Sequence, residues 1–187
     1  MSKKLLIGII AVVAIVIIGG AAMAGSGSND SKDSGFDRTG KTVSADASTL
    51  VPDISSMKDG WITPGKSTAD KGANVLTAST ITFVNAGYSQ NIVVTIYVYD
   101  TVEHAKAAYN SEKTTASGTY KVNDEGAFEE SYNYAISGGA SYIKQINFRD
   151  MNVYGEIYSN SGVVHITDKE FKSVMDDIQD KIIAAAA

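Results

Sequence analysis

The chain has no cysteine among its 187 residues. Disulfide bonds, thiolate metal sites, cysteine nucleophiles and lipid attachment to an N-terminal cysteine are therefore excluded. A folded domain without disulfides depends for its stability on packing and hydrogen bonding within its own core.

Histidine is almost as scarce, with only His104 and His165. A zinc site of the usual kind needs two or three histidines with an acidic residue beside them, whereas these two fall in separate predicted elements. No serine lies in a G-x-S-x-G context. We therefore expect no metal, no cofactor and no enzymatic activity.

An acidic group follows a predicted turn in the second half of the chain. It lacks the 12-residue ligand spacing of an EF-hand, so we interpret it as solvated turn charge rather than a calcium site. Its members are Asp124, Glu125, Glu129 and Glu130.

Residues 60–67 (GWITPGKS) match the phosphate-binding pattern G-x-x-x-x-G-K-[ST]. Such a loop binds phosphate when a buried strand precedes it and a helix begins at its Lys-Ser pair. Residues 57–59 form no hydrophobic strand pattern, and residues 68–72 have no apolar face. We predict a polar loop and no nucleotide site.

Basic residues are outnumbered by acidic ones, 16 to 21. Lys3 and Lys4 precede a long uncharged segment, and beyond it 14 basic and 21 acidic residues leave a net charge of −7. A surface of this sign repels nucleic acid and anionic lipid headgroups. We expect neither as a partner.

The segment from Leu5 to Ala24 is uncharged and consists of apolar or small residues. As a helix it extends about 30 Å, enough to cross the hydrocarbon core of a membrane, and the two preceding lysines place the rest of the chain outside the cell. The A-x-A arrangement at residues 22–24 also fits a cleavable signal peptide. Residues 1–24 are thus predicted to be a transmembrane anchor or a signal peptide. A pilin-type helix fits less well, because leucines follow the lysines where such signals place Gly or Ala.

Residues 25–49 are rich in Gly, Ser and Asp and show no hydrophobic period, which predicts a flexible linker. Asn29 begins an N-x-[ST] sequon and is a candidate glycosylation site. The folded domain is expected over residues 50–187.

Hydrophobic periodicity predicts an α+β domain with an antiparallel sheet of about five to seven strands packed by two principal helices. The strongest strand is 91–99 (NIVVTIYVY), whose aliphatic even positions and amphipathic odd positions indicate a central strand with one well-buried face. Other strands are predicted at 75–84, 119–122, 127–132, 142–149, 152–159 and 163–166. Helices are predicted at 101–113, with Asp100 as N-cap, and after Thr167-x-x-Glu170, a capping box.

The amphipathic face of this sheet is the best candidate for a binding surface. Tyrosines from two strands fall on it together with charged side chains, a combination suited to a peptide or a glycan. The alternative is that the loop around Trp61 or a helix covers the face. The predicted patch comprises Tyr97, Tyr99, Arg149, Tyr154, Glu156 and Tyr158.

A series of turn and packing features runs through the domain in a fixed order. These are Leu50-Val51-Pro52-Asp53, Gly60-Trp61, Asp100-Thr101-Val102-Glu103-His104-Ala105, Asp124-Glu125-Gly126-Ala127-Phe128 and Phe148-Arg149-Asp150-Met151-Asn152-Val153. In this order the chain resembles small anchored or secreted domains of uncharacterised archaeal and bacterial proteins, and in architecture it is similar to PsbP/Mog1-like α+β domains. The resemblance implies a fold and a non-enzymatic accessory or binding role, and it assigns no functional residue.

These patterns predict a non-enzymatic, membrane-anchored extracytoplasmic binding or accessory domain. Its expected partners are the membrane, through the N-terminal helix, and an envelope protein, peptide or glycan. The alternatives are a structural, pilin-like subunit of a surface filament or layer, and a protein secreted after signal cleavage.

Overall fold

The computed structural model of the protein describes residues 36–57, 60–162 and 164–187. Its strands are β1 (Lys66–Thr68), β2 (Val75–Asn85), β3 (Gln90–Tyr99), β4 (Asn123–Asp124), β5 (Glu130–Gly138), β6 (Ser141–Asp150) and β7 (Val153–Ser161). Its α-helices are α1 (Ala47–Leu50), α2 (Val102–Ser117) and α3 (Asp168–Ala185).

All seven strands form one sheet in the order β1-β2-β3-β7-β6-β5-β4, and every neighbouring pair is antiparallel. The predicted α+β class, the strand count and the two long helices are therefore confirmed. Helix α3 and residues 36–51 cover one face of the sheet, and α2 packs on the other.

The core lies between the sheet and α3, and β3 is central to it. Alternate side chains of β3 point to opposite faces, and the four aliphatic ones are all 0% exposed: Ile92, Val94, Ile96 and Val98. The apolar stripe of α3 packs against the same core through Phe171, Val174, Met175, Ile178 and Ile182. Burying each such side chain stabilises the fold by about 1.5–3 kcal/mol.

The N-terminus of α3 has the predicted capping box. The Thr167 hydroxyl accepts a hydrogen bond from the Glu170 backbone N–H, and the Glu170 carboxylate accepts one from the Thr167 backbone N–H. For α2 the predicted cap was wrong by one residue, because Thr101 rather than Asp100 accepts from the His104 backbone N–H, at 3.2 Å.

Two predicted short strands are not strands. In residues 119–122, the backbone N–H groups of Thr119 and Tyr120 both donate to the Ala116 carbonyl, so this segment closes the end of α2. Residues 164–166 lie outside the sheet, because β7 already has β3 and β6 on its two sides.

The folded domain begins before residue 50, within the segment that composition assigned to the linker. Val43 is 2% exposed and pairs in a β-bridge with Ala186, and Ala47 is 0% exposed in α1. The Asn152 side chain fixes this segment, since it donates to the carbonyls of Val43 and Tyr99 and accepts from the Val43 N–H at 2.6 Å. A buried amide with three such bonds is costly to break.

No helix in the described part of the chain is both long enough and apolar enough to cross a membrane. The predicted anchor at Leu5–Ala24 and the candidate glycosylation site Asn29 both lie outside the described residues.

Gly155 is the point where the sheet core tolerates no side chain. It pairs with Phe148, whose ring lies across it and stacks on Phe128 at a centroid distance of 4.0 Å. A Cβ at Gly155 would sit only 2.6 and 2.9 Å from the Cε1 and Cε2 atoms of that ring.

We therefore expect Gly155→Ala to lower the free energy of unfolding by about 1–3 kcal/mol or more, because the ring must move within a packed core. Urea denaturation measures the change. Gly72→Ala is the control, since nothing lies within 4 Å of its added Cβ, and it should change stability by less than about 0.5 kcal/mol. Equal stability of the two variants would contradict the packing described.

Candidate ligand-binding face

The sheet face opposite α3, here called the tyrosine face, carries the odd-numbered residues of β3. Residues directly opposite in an antiparallel pair share a face. Tyr97 lies opposite Tyr154, which in turn lies opposite Arg149. All six residues of the predicted patch are on this face: Tyr97, Tyr99, Arg149, Tyr154, Glu156 and Tyr158.

Helix α2 covers part of this face, as the alternative had allowed. Its Tyr109 contacts Tyr132 edge-on at a centroid distance of 5.5 Å, and the same apolar cluster includes Tyr154, on whose ring Tyr97 stacks at 5.8 Å. As a result Tyr154 is only 3% exposed and cannot serve as a surface residue. The apolar repeat of a helix indicates which side of the helix packs on a sheet, but it does not indicate which side chains of the sheet the helix covers.

Arg149 is also buried, at 2% exposure, and its charge is already paired. The guanidinium lies 2.6 Å from a carboxylate oxygen of Glu129 and 2.6 Å from one of Glu130, and it donates to the Met151 carbonyl. Two residues of the predicted acidic group, Glu129 and Glu130, thus pair with Arg149 while their side chains stay 39% and 33% exposed. Within residues 36–57, 60–162 and 164–187 no cluster of metal-ligating side chains occurs.

Beyond α2 the tyrosine face is open. Four side chains there are partly exposed and belong to adjacent rows of three neighbouring strands: Thr95, Gln145, Glu156 and Tyr158. We refer to this strip, together with Glu112 at the edge of α2, as the α2 border. Of the predicted patch, only Tyr97, Tyr99, Glu156 and Tyr158 are partly exposed, and of these Glu156 and Tyr158 lie on the α2 border.

A chain of polar side chains runs through the α2 border. The Tyr154 hydroxyl lies 2.8 Å from Oε1 of Glu156 and 3.1 Å from Oδ1 of Asn147. Gln145 donates to the same Asn147 oxygen at 3.2 Å and accepts from the Tyr134 hydroxyl at 2.9 Å. Sequence reasoning missed Gln145 and Asn147, although their alternation with the core residues of β6 was a signal for this face.

This network has unused hydrogen-bonding capacity at Asn147. The residue is 1% exposed, and its Nδ2 donor has no partner among the described residues. The single proton of the Tyr154 hydroxyl faces two acceptors, so one of those two contacts lacks a hydrogen. Buried polar groups are nearly always satisfied, so the unpaired Asn147 amide is an exception within the interior of this face.

Electrostatics at the α2 border are anionic. Burial raises the pKa of Glu156 above its ordinary value, the Glu112 carboxylate raises it further, and the Tyr154 hydroxyl opposes the shift. Burial, together with nearby carboxylates, also raises the pKa of Tyr97 and of Tyr134 to about 12. These hydroxyls stay protonated at neutral pH and can donate hydrogen bonds.

The remaining sequence features lie elsewhere. His104 contacts Asp100 at 2.6 Å on the first turn of α2, and His165 stacks on Tyr142 at 4.4 Å. The P-loop-like stretch, residues 60–67, runs into the edge strand β1 (Lys66–Thr68), at the place where a phosphate-binding loop is followed by a helix.

No protein family and no curated protein matches the chain in sequence. The chain is similar in structure to the extracellular domain of PknH from Mycobacterium tuberculosis, with a TM-score of 0.59 at 11% identity, over 73% of this chain and 94% of that one. A GTP-binding regulator from Thermotoga maritima aligns with a TM-score of 0.35 at 10% identity, over 73% and 92% of the two chains. The first likeness shows a shared fold. The resemblance to PsbP/Mog1-like domains stays a prediction.

The raised pKa of Glu156 gives a test of the polar network. The folded protein binds the proton of the Glu156 carboxyl group more tightly than the unfolded chain does. The stability that the protonated carboxyl group contributes is therefore fully present below about pH 4.5, and it is lost as the pH rises through the raised pKa. Glutamine cannot ionise, and its side-chain carbonyl oxygen can still accept a hydrogen bond from the Tyr154 hydroxyl. We expect Glu156→Gln to be more stable than the wild type at pH 7 and equally stable at pH 4 in urea denaturation.

Glu103→Gln, an exposed change on the same helix as Glu112, is the control and should show no such pH-dependent gain. Asp150 and Glu125 also have raised pKa values, but they are present in both proteins, so their effect cancels in the comparison. A Glu156→Gln variant that is less stable than the wild type at pH 7 would mean that the ionised carboxylate stabilises the fold.

Proposed function

We propose that this chain is a non-enzymatic, extracytoplasmic binding domain held at the membrane by its N-terminal apolar helix, and that the ligand binds on the open part of the tyrosine face. The observation that carries the proposal is the α2 border, where amphipathic side chains of three neighbouring strands are partly exposed on a part of the face that α2 leaves open. The uncharged segment Leu5–Ala24 supports export, as does the fold shared with an extracellular domain.

A secreted protein is the variant of this proposal in which residues 1–24 are removed. The binding face lies in the described domain and is the same in both cases. Cleavage changes only whether the domain stays at the membrane or diffuses away.

A structural subunit of a surface filament or layer is the second candidate, and one observation favours it. Strand β4 pairs only with Tyr132 and Asn133 of β5, so the outer edge of residues 134–138 has no neighbouring strand within the described part of the chain. This edge contains no charge and no proline, the two features that usually block strand addition. Ordered polymers that depend on this chain, seen by electron microscopy of cell surfaces, would favour this candidate.

The location is tested on the full chain with a C-terminal epitope tag in its own cells. Protease added outside intact cells should remove the tagged domain while a cytoplasmic marker protein survives. The intact mass of the purified protein then separates an anchor, with residues 1–24 present, from a secreted form. A tagged domain that survives until the cells are lysed would contradict an extracytoplasmic location.

The face is tested by photo-crosslinking in the same cells. A photoreactive amino acid in place of Tyr158 lies on the α2 border, whereas one in place of Asp180 lies on the exposed side of α3. We expect a discrete adduct from position 158 and none from position 180. Adducts of equal yield at both positions, or only at position 180, would show that the tyrosine face is not the binding surface.

A further inference from the structure

One edge of the sheet includes a short stretch of β5 that has no neighbouring strand. Strand β4 pairs only with Tyr132 and Asn133, so the outer side of residues 134–138 is free within the described part of the chain. Ala135 and Gly138 are exposed, and nothing lies within 4 Å of a Cβ added at Gly138. A free edge of this kind presents unpaired backbone groups to solvent.

The direction of these backbone groups follows from the bonds between β4 and β5. The Glu125 backbone N–H donates to the Ser131 carbonyl at 3.3 Å, so the backbone groups of Ser131 point toward the outer side of β5. In an antiparallel strand alternate residues point the same way. Ala135 and Ser137 therefore direct their N–H and C=O groups to the free edge, which offers two donors and two acceptors.

A second copy of the same strand matches these groups. When two β5 strands lie antiparallel about a two-fold axis at Ile136, Ala135 of each copy lies opposite Ser137 of the other, and each such pair exchanges both hydrogen bonds. All the outward groups of both residues are then used. A register centred on Ala135 would place Ser137 opposite Asn133, which β4 already occupies. One centred on Ser137 would place Ala135 opposite Gly139, which lies in the turn.

The side chains at this edge suit the same register. The Ile136 side chains of the two copies face each other in a non-hydrogen-bonded pair, where cross-strand side chains lie closest, and Ile143 is directly opposite Ile136 within each sheet. Tyr134 lies opposite Gly138 of the other copy. Because Gly138 has no side chain, it leaves room for the stack of Tyr134 on Tyr120, whose ring centroids are 4.5 Å apart.

Charge also favours this edge as the place where two copies meet. The net charge of −7 beyond the N-terminal lysines makes two copies repel each other in most orientations. Residues 131–143, which form most of β5, its turn and the start of β6, contain no charged side chain. Like charges opposite each other destabilise a strand pair, and a pair formed by this stretch has none.

We propose that two copies of this chain associate through residues 134–138 of β5, as an antiparallel strand pair centred on Ile136 that joins the two sheets. The inference goes beyond the proposed function and does not depend on the ligand of the tyrosine face. The pair is closed, because the free stretch of each copy is fully used. The contact is short, so confinement of both copies to one membrane, as in the proposed anchored form, favours it by raising their effective concentration.

Disulfide crosslinking of the full chain in its own cells tests the register, since the chain has no cysteine of its own. In a non-hydrogen-bonded pair the Cα atoms are about 4.5 Å apart, within the range of a disulfide. We expect Ile136→Cys to give a covalent dimer under mild oxidation. Ala135→Cys is the matched control, because its two copies are offset by two residues, about 8 Å apart, and should give at least about fivefold less dimer. Equal yields at the two positions, or no dimer from position 136, would overturn the pairing.

A charge exchange at the axis tests the contact without a covalent bond. Ile136→Lys and Ile136→Glu each place like charges opposite each other, so each should lower the dimer fraction of the purified full chain in detergent at least about fivefold in sedimentation velocity. Mixing the two variants pairs the new lysine with the new glutamate and should restore the dimer, which a misfolded protein could not do.

Leu76→Lys and Leu76→Glu are the matched controls, because Leu76 is 52% exposed on β2, four places from β5 in the sheet. They should leave the dimer fraction unchanged. A mixture of the two Ile136 variants that stays monomeric, or an equal loss of dimer in the Leu76 variants, would overturn the proposal. A dimer that persists in both Ile136 variants would show that the copies meet elsewhere and would overturn it as well.

Discussion

The packing of one side of β3 against α3 decides where the other elements lie. Four aliphatic side chains of this strand are fully buried on one face, so its tyrosines, Tyr97 and Tyr99, must point to the other. A shift of one residue in register would exchange the two faces and expose the whole aliphatic set. The composition of the tyrosine face, and thus the chemistry available to a ligand, follows from this single constraint.

A polar cluster at the turn between β6 and β7 joins the start of the domain to its sheet. Arg38 pairs with Asp150 at 2.6 Å, and Asn152 holds the backbone of Val43. Burial raises the pKa of Asp150 and outweighs the opposing effect of the Arg38 guanidinium. Such a pair contributes more to the specific position of a segment than to net stability. The cluster at the β6–β7 turn thereby fixes the place where the chain enters the domain, which is the end of the sheet where β3 finishes.

Sequence periodicity predicted the class of the fold, the strands β2, β3, β6 and β7, and both long helices, because each has a strong repeating pattern of its own. The prediction for β5 (Glu130–Gly138) was wrong in its bounds, since the short strand expected at 127–132 covers only its first three residues. The predicted short strands failed for a physical reason. The backbone N–H groups of Thr119 and Tyr120 close the end of α2 on the Ala116 carbonyl, so residues 119–122 pair with no strand. Residues 164–166 lie outside the sheet as the chain leaves β7. Local patterns were also insufficient for the candidate site. All six predicted residues share a face, but the burial of Arg149 and Tyr154 depends on the path of α2 and on Glu129 and Glu130, which no local pattern encodes.

The open part of the tyrosine face is a consequence of element count and size. A sheet of seven strands is about 29 Å wide at 4.8 Å per strand, whereas a helix is about 10 Å across. The aliphatic face is covered by α3 together with α1 and its flanking residues from 36 to 51. In the described part of the chain the tyrosine face has only α2 and the short segment after it, from which Tyr120 and Val122 pack on the sheet. One helix cannot cover that width. If this face were fully apolar, its uncovered part would be a large exposed hydrophobic surface. The uncovered rows carry tyrosine, amide and carboxylate groups instead. These are the groups that can hold a ligand.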